Sequence, residues 1–144
     1  MPSGRLSFLA NSAMPNLKKH IASGALVAGG ANLVCQLVRL YTAPRRPESF
    51  LDALANVKWG RVAMFAAAGA TIAALPDILE PARHPNHRAF FHSVCCCGAL
   101  AYGAFGKHSK GWTDDNRDAA SASALAYISH LLLDAGTPKS LPFI

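Results

Sequence analysis

Prolines, glycines and polar loops cut this chain into four apolar stretches, and that division limits its folds more than any other feature. The stretches are IASGALVAGGANLVCQLV (21–38), VAMFAAAGATIAAL (62–75), FFHSVCCCGALAYGAF (90–105) and AASASALAYISHLLL (119–133). All are rich in alanine or glycine and none alternates in the manner of a strand, so each reads as a helix. Between them lie TAPRRPES (42–49), PDILEPARHPN (76–86) and GKHSKGWTDDNRD (106–118). Proline stops helices in the first two, and the third is polar and turn-like. The expected fold is all-α: a four-helix up-down bundle of short Ala/Gly-rich helices in one domain, residues 1–144. Residues 1–19 form an N-terminal extension and 135–144 a non-helical tail.

The 144 residues are 51% hydrophobic and only 15% charged, with a mean hydropathy of +0.20. A soluble domain carries about 25% charged residues, so contact with a membrane is expected, with a very apolar soluble bundle as the alternative. The stretches are short beside the roughly 20 residues of a full span, but their small residues suit close helix packing. If all four span, six Lys/Arg fall on one side and eight on the other, which sets no orientation. The location read from this is a membrane, the inner or cytoplasmic membrane if the source is bacterial.

The net charge of +6 favours phosphate-bearing partners, membrane lipid first. The cations are dispersed and not interleaved with aromatics, which speaks against nucleic acid. Cys35 and the run Cys95, Cys96, Cys97 have no metal-binding spacing; they read as small apolar fillers in a reducing compartment. LSFLA near the N-terminus is a poor signal peptide.

An up-down path carries the titratable groups to one place. His20 precedes the first helix, Asp77 follows the second, His87 and His92 open the third, and His130 and Asp134 close the fourth. Alternation puts all six at one end of the bundle. His130 and Asp134, four apart, share a helix face. His87 and His92, five apart, converge only if His87 lies before the first regular turn. Imidazole and carboxylate together suit zinc foremost, with manganese, iron or nickel also possible ligand partners. The alternative is a plain hydrogen-bonded His–Asp cluster, since buried ionisable groups must be paired. His84 and His108 find no partners by spacing.

LPDILEP, HRAFFHS and AYISHLLLDAGTPKSLPFI resemble the YdjM-like family of membrane-bound metal-dependent hydrolases. His20 and Gly24 fit that family's first element, Pro76-Asp77 its LPDID, and His87-Arg88, His92 and Ser93 its HRGxTHS. Ser129-His130, Asp134 and Thr137-Pro138 fit its last. The order and spacing hold over residues 20–142. The departures are Leu79 in place of the second acid of LPDID, with Glu80 following it, and Ala89, Phe91 and Ser140 at other motif positions. Either Glu80 replaces the missing acid imperfectly or one metal position is lost.

The resemblance implies a helical metal-dependent hydrolase acting on esters, phosphoesters such as a phospholipid foremost. Its divalent metal, zinc or else manganese, would be held by His20, Asp77, His87, His92, His130 and Asp134. The catalytic residues would be Asp77, the one acid beside the third-helix histidines, and Arg88, whose guanidinium matches phosphate. Ser93, Ser129 and Thr137 are candidates to orient the imidazoles. The alternative function is a non-enzymatic membrane or assembly protein in which the cluster is a structural metal site or a hydrogen-bonded clasp.

Overall fold

In a computed structural model of the chain, residues 4–80, 90–106 and 111–135 are described, with side chains from residue 17 onwards. Those residues form six helices: α1 (Gly4–Thr42), α2 (Phe50–Ala55), α3 (Trp59–Ala73), α4 (Leu75–Leu79), α5 (Val94–Phe105) and α6 (Asp114–Ala135). There is no strand among them. The chain is the all-α bundle expected, with α1, α3 and α6 packed on one another and α5 laid against α6. Facing residues establish the alternation. Gly24 meets Gly69 and Ala73 while Gly29 meets Ala66, so α1 and α3 run antiparallel. Arg39 reaches Asp118 and His20 reaches Asp134, so α1 and α6 do too.

The element boundaries move outward from the apolar stretches at two places. His20 does not precede the first helix but lies well inside α1, because Leu17, Lys18 and Lys19 are good helix formers and no breaker separates them from Ile21. The expected 1–19 extension is thus helical from Gly4. The polar run Asp114–Asp118 is the first turn and a quarter of α6 rather than loop, where its acids suit the helix N-terminus. The third helix, in contrast, starts late. Ser93 is extended, and its Oγ accepts from the Cys96 N–H at 3.1 Å, so α5 begins at Val94 and His92 sits in the turn before it.

The core is built mostly from small side chains. Ala28, Phe65, Ala122 and Ala126 form one buried cluster, and Cys96, Tyr127 and Leu131 another, with Ile72 packed against both. Such residues bury little area each, so their contribution depends on backbones coming close. Gly24 of α1 and Gly69 of α3 allow this: a Cβ on either would overlap the other's carbonyl and an alanine methyl, Ala73 or Ala28. Cys95 is exposed, Cys96 buried, and Cys35 and Cys97 lie between; all four are free thiols.

Two polar layers bound the bundle. At one end the buried Asp118 accepts both Arg39 Nη atoms, at 2.7 and 2.6 Å, and Arg61 Nη2 at 3.2 Å. Arg61 also meets Asp115 at 2.7 Å and lies 5.5 Å from the centre of the Phe65 ring. At the other end lie the histidines. Between the layers, residues 21–38, 62–76, 93–106 and 119–129 contain no Asp, Glu, Lys or Arg. That belt stands about 17 Å tall along α6 and about 27 Å along α1, at 1.5 Å per residue. It exposes large apolar side chains, among them Leu26 at 76% and Tyr102 at 71%. The segments Leu17–Thr42 and Trp59–Leu79 are long and apolar enough to cross a membrane.

The Gly24–Gly69 crossing yields a stability test. Gly69→Ala should cost about 1–3 kcal/mol by forcing backbone apart. Gly30→Ala, on a helix position with open space around it, should gain up to about 1 kcal/mol. Denaturant titration of both variants measures the contrast; equal effects would remove the crossing as the point of closest approach.

Candidate metal centre

Four separate segments supply the site. His20 comes from α1, Asp77 from the short helix α4, His92 from the turn before α5, and His130 with Asp134 from the last turns of α6. Pro76 and Leu75 start α4 directly after α3, with the junction residue Ala74 itself in the helical region, so Asp77 lies just beyond the end of α3. His20, His92, His130 and Asp134 are all buried, whereas the Asp77 side chain is 41% exposed.

One ligand atom from each of Asp77, His92, His130 and Asp134 falls within 4.8 Å of all the others. The Nε2 atoms of His92 and His130 face each other at 3.3 Å. Asp77 Oδ1 lies 3.4 Å from the first and 3.7 Å from the second. Asp134 Oδ2 lies 3.7 and 3.5 Å from the same two atoms. Good N–H···O hydrogen bonds are about 2.7–3.2 Å long, so these contacts are poor hydrogen bonds. These five of the six separations lie close to the ligand-to-ligand edges of a tetrahedron, about 3.3–3.6 Å when nitrogen and oxygen lie about 2.0–2.2 Å from an ion. The donor set could therefore hold a metal ion.

His20 stands beside this group rather than in it. Its Nε2 is 3.3 Å from Asp134 Oδ1, the oxygen turned away from the other histidines, and its ring lies 3.9 Å from that of His130. Nδ1 of His20 and Nδ1 of His130 are buried without a hydrogen-bond partner among the described residues. Of the six ligands expected, the structure thus assembles four and sets His20 alongside. His87, and Arg88 with it, lie outside the described residues.

Glu80 corrects the expectation that Asp77 is the one acid beside these histidines. Its Oε2 is 2.9 Å from His92 Nδ1, and its Oε1 accepts from the Phe91 N–H at 3.1 Å. It is thus on the far side of His92 from the ligand group. Helical spacing could not have found it, because Glu80 has left the helix that carries Asp77, with φ −123° and ψ 72°. Tyr127 was not singled out either. Its Oη donates to the Phe91 carbonyl at 3.1 Å and pins the turn containing His92 onto α6.

Two serines expected to orient imidazoles have other partners. Ser93 Oγ donates to the Phe90 carbonyl at 2.7 Å and caps α5, and Ser129 Oγ donates to the Ala126 carbonyl at 2.7 Å. Each sits where its own backbone is the nearest acceptor, which local side-chain bonding favours. Thr137 lies outside the described residues.

No family model, curated protein or solved structure matches this chain.

Electrostatics couple the pair. Burial works against an ionised Glu80, yet the His92 contact and the backbone N–H of Phe91 outweigh it and hold its carboxyl below the ordinary range. Burial likewise opposes a charged His92, but Asp77 and Glu80 raise its pKa above the ordinary value. In the metal-free protein, the depressed Glu80 contributes stability above its unfolded value and loses it as pH falls through its folded one. The raised His92 contributes below its unfolded value and loses it as pH rises through its folded one. Stability in a chelator should therefore be greatest between about pH 4.3 and 6.5. It should fall on both sides in a melting series against pH, and His92→Gln should flatten the alkaline limb.

Proposed function

We propose that this chain is a membrane-associated, metal-dependent hydrolase acting on an ester, phosphoesters such as a phospholipid foremost. The observation that carries the reading is the tetrahedral spacing of Asp77 Oδ1, His92 Nε2, His130 Nε2 and Asp134 Oδ2, at 3.3 to 3.7 Å. A network evolved for hydrogen bonding alone would have no reason to hold five contacts at distances too long for it. His92, His130 and Asp134 would hold a divalent ion, zinc or manganese by their chemistry. When bound, such an ion supplies an acidified water, its pKa drawn from about 15.7 towards about 7.

The chain's own residues divide the remaining work. His130 and Asp134 are fixed by α6, and His92 by the Tyr127 and Glu80 contacts, so three ligands are rigid and buried. Asp77 forms the open edge, where it can shift and orient a water. Arg88 would neutralise charge developing on a phosphoryl group. The uncharged belt and the two membrane-length segments support a bilayer location. The centre would then lie at the headgroup level, which makes a lipid phosphoester the natural substrate. The resemblance to the YdjM-like family points the same way.

A second reading rests on the same geometry. Four protein ligands complete a tetrahedron without a water, as in structural zinc sites, and the centre would then clasp helix ends in a non-enzymatic membrane or assembly protein. Elemental analysis of purified protein separates the readings when paired with turnover of a chromogenic phosphodiester and of phospholipid vesicles. The hydrolase should carry near-stoichiometric metal that His130→Ala and Asp134→Ala lose. Asp77→Asn should keep the metal and lose about a hundredfold in turnover. Metal whose removal lowers the melting temperature, without any turnover, would support the structural clasp. A folded protein that takes up no metal would sink both metal readings.

A further inference from the structure

We propose that Glu80 is the positioning residue of the metal centre, fixing the His92 ring so that its Nε2 faces the ion. The proposal rests on the metal reading above and assigns a role to the acid that follows Leu79. Glu80 grips the turn at two points. Oε2 lies 2.9 Å from His92 Nδ1, a good hydrogen-bond distance, and Oε1 accepts from the Phe91 N–H at 3.1 Å. With the ring neutral, an ionised carboxylate can only accept, so Nδ1 must carry the proton. The proton-free Nε2 is then the atom turned towards His130, Asp77 and Asp134.

The difference in distances assigns the roles. The Glu80 contact has hydrogen-bond length, whereas the five contacts that join imidazole to imidazole and imidazole to carboxylate among the four ligand atoms are longer, at 3.3 to 3.7 Å. Glu80 therefore stands behind a ligand and Asp77 stands among them, although the two are only three residues apart. Burial strengthens the pairing: His92 is 1% exposed and the Glu80 side chain 13%. The C-terminal end of α4 permits it. Glu80 has left the helix, with φ −123° and ψ 72°, so its side chain turns to the 90–93 turn and not along the α4 axis. A metal-bound histidine that donates its second N–H to a carboxylate is held in one tautomer and made more basic, and losing that partner costs about 10–100-fold in metal affinity.

The test compares wild type, Glu80→Gln and Glu80→Ala by competition titration with cobalt(II) and zinc. It also reads the His92 tautomer in the metal-free protein from ring nitrogen-15 shifts, at a pH where the ring is neutral. Wild type should show the Nδ1–H tautomer. Glu80→Gln has one acceptor oxygen where Glu80 uses two, so it should weaken the tautomer preference and lose about tenfold in affinity. Glu80→Ala should lose the tautomer preference and about a hundredfold in affinity. The isosteric Gln variant guards against misfolding of the Ala variant, since Phe91 N–H also loses its partner there. An Nε2–H tautomer in wild type, or wild-type affinity in both variants, overturns the role of Glu80 and leaves the metal centre standing. A wild-type protein that binds neither metal overturns both.

Discussion

Everything at the candidate site depends on how closely α1 and α3 cross. Gly24 and Gly69 leave no space for a side chain between the two backbones. Gly24 lies one turn beyond His20 on α1, and Gly69 lies two turns before Asp77 on the path through α3 and α4. With the backbones in contact there, His20 and Asp77 are carried to the same end of α6, where His130 and Asp134 wait on one face. Larger residues at the crossing would splay the helices and spread those groups by several ångströms. The glycine that accompanies His20 in the sequence motif therefore has a mechanical reason to be there.

The two ends of the bundle solve one problem in different ways. Each must stop an apolar interior and present polar groups to something wetter. At the α2 end the solution is ionic: a buried Asp118 with two guanidiniums, both partly open to solvent. Those contacts are short and hydrogen-bonded, although Arg61 Nε stays buried without a partner among the described residues. At the other end, three imidazoles and two carboxylates are crowded at longer distances, with buried ring nitrogens lacking partners among the described residues. Crowding of that kind is costly for folding alone. The contrast is between short, charge-assisted contacts at one end and longer contacts among crowded imidazoles and carboxylates, spaced as metal ligands are, at the other.

Much of this was legible in the sequence, and the limits have physical causes. Alanine-rich runs without alternation specify helices, and breakers between them specify the alternation that gathers His20, Asp77, His92, His130 and Asp134. Boundaries were harder to place, because polarity was taken as loop: Asp114–Asp118 is polar yet helical, its acids being favourable at a helix start. Ser93 shows the reverse: it lies inside an apolar stretch, yet the helix starts only after it because its hydroxyl caps α5. For Glu80 the motif offers two readings, an imperfect substitute for a ligand or a lost metal position, and neither is the contact it makes. Its real contact, with Nδ1 of a ring twelve residues away, depends on where α4 unwinds, and no spacing rule encodes that.

The exposure of the ligands bears on whether the centre does chemistry. His92, His130 and Asp134 are enclosed by α5, α6 and the Tyr127-pinned turn, so moving any of them would disturb the fold. Asp77 rides on a five-residue helix whose apolar neighbours Ile78 and Leu79 are themselves 63% and 49% exposed. A site built only to clasp helices gains nothing from leaving one ligand on so slight a support, since an exposed carboxylate exchanges readily with water. A site that must admit a substrate needs one such edge, and it needs the remaining ligands held still. The apolar side chains beside Asp77 also make this edge compatible with a lipid surface. The asymmetry between three buried candidate ligands and one exposed one is the arrangement that the proposed hydrolase requires.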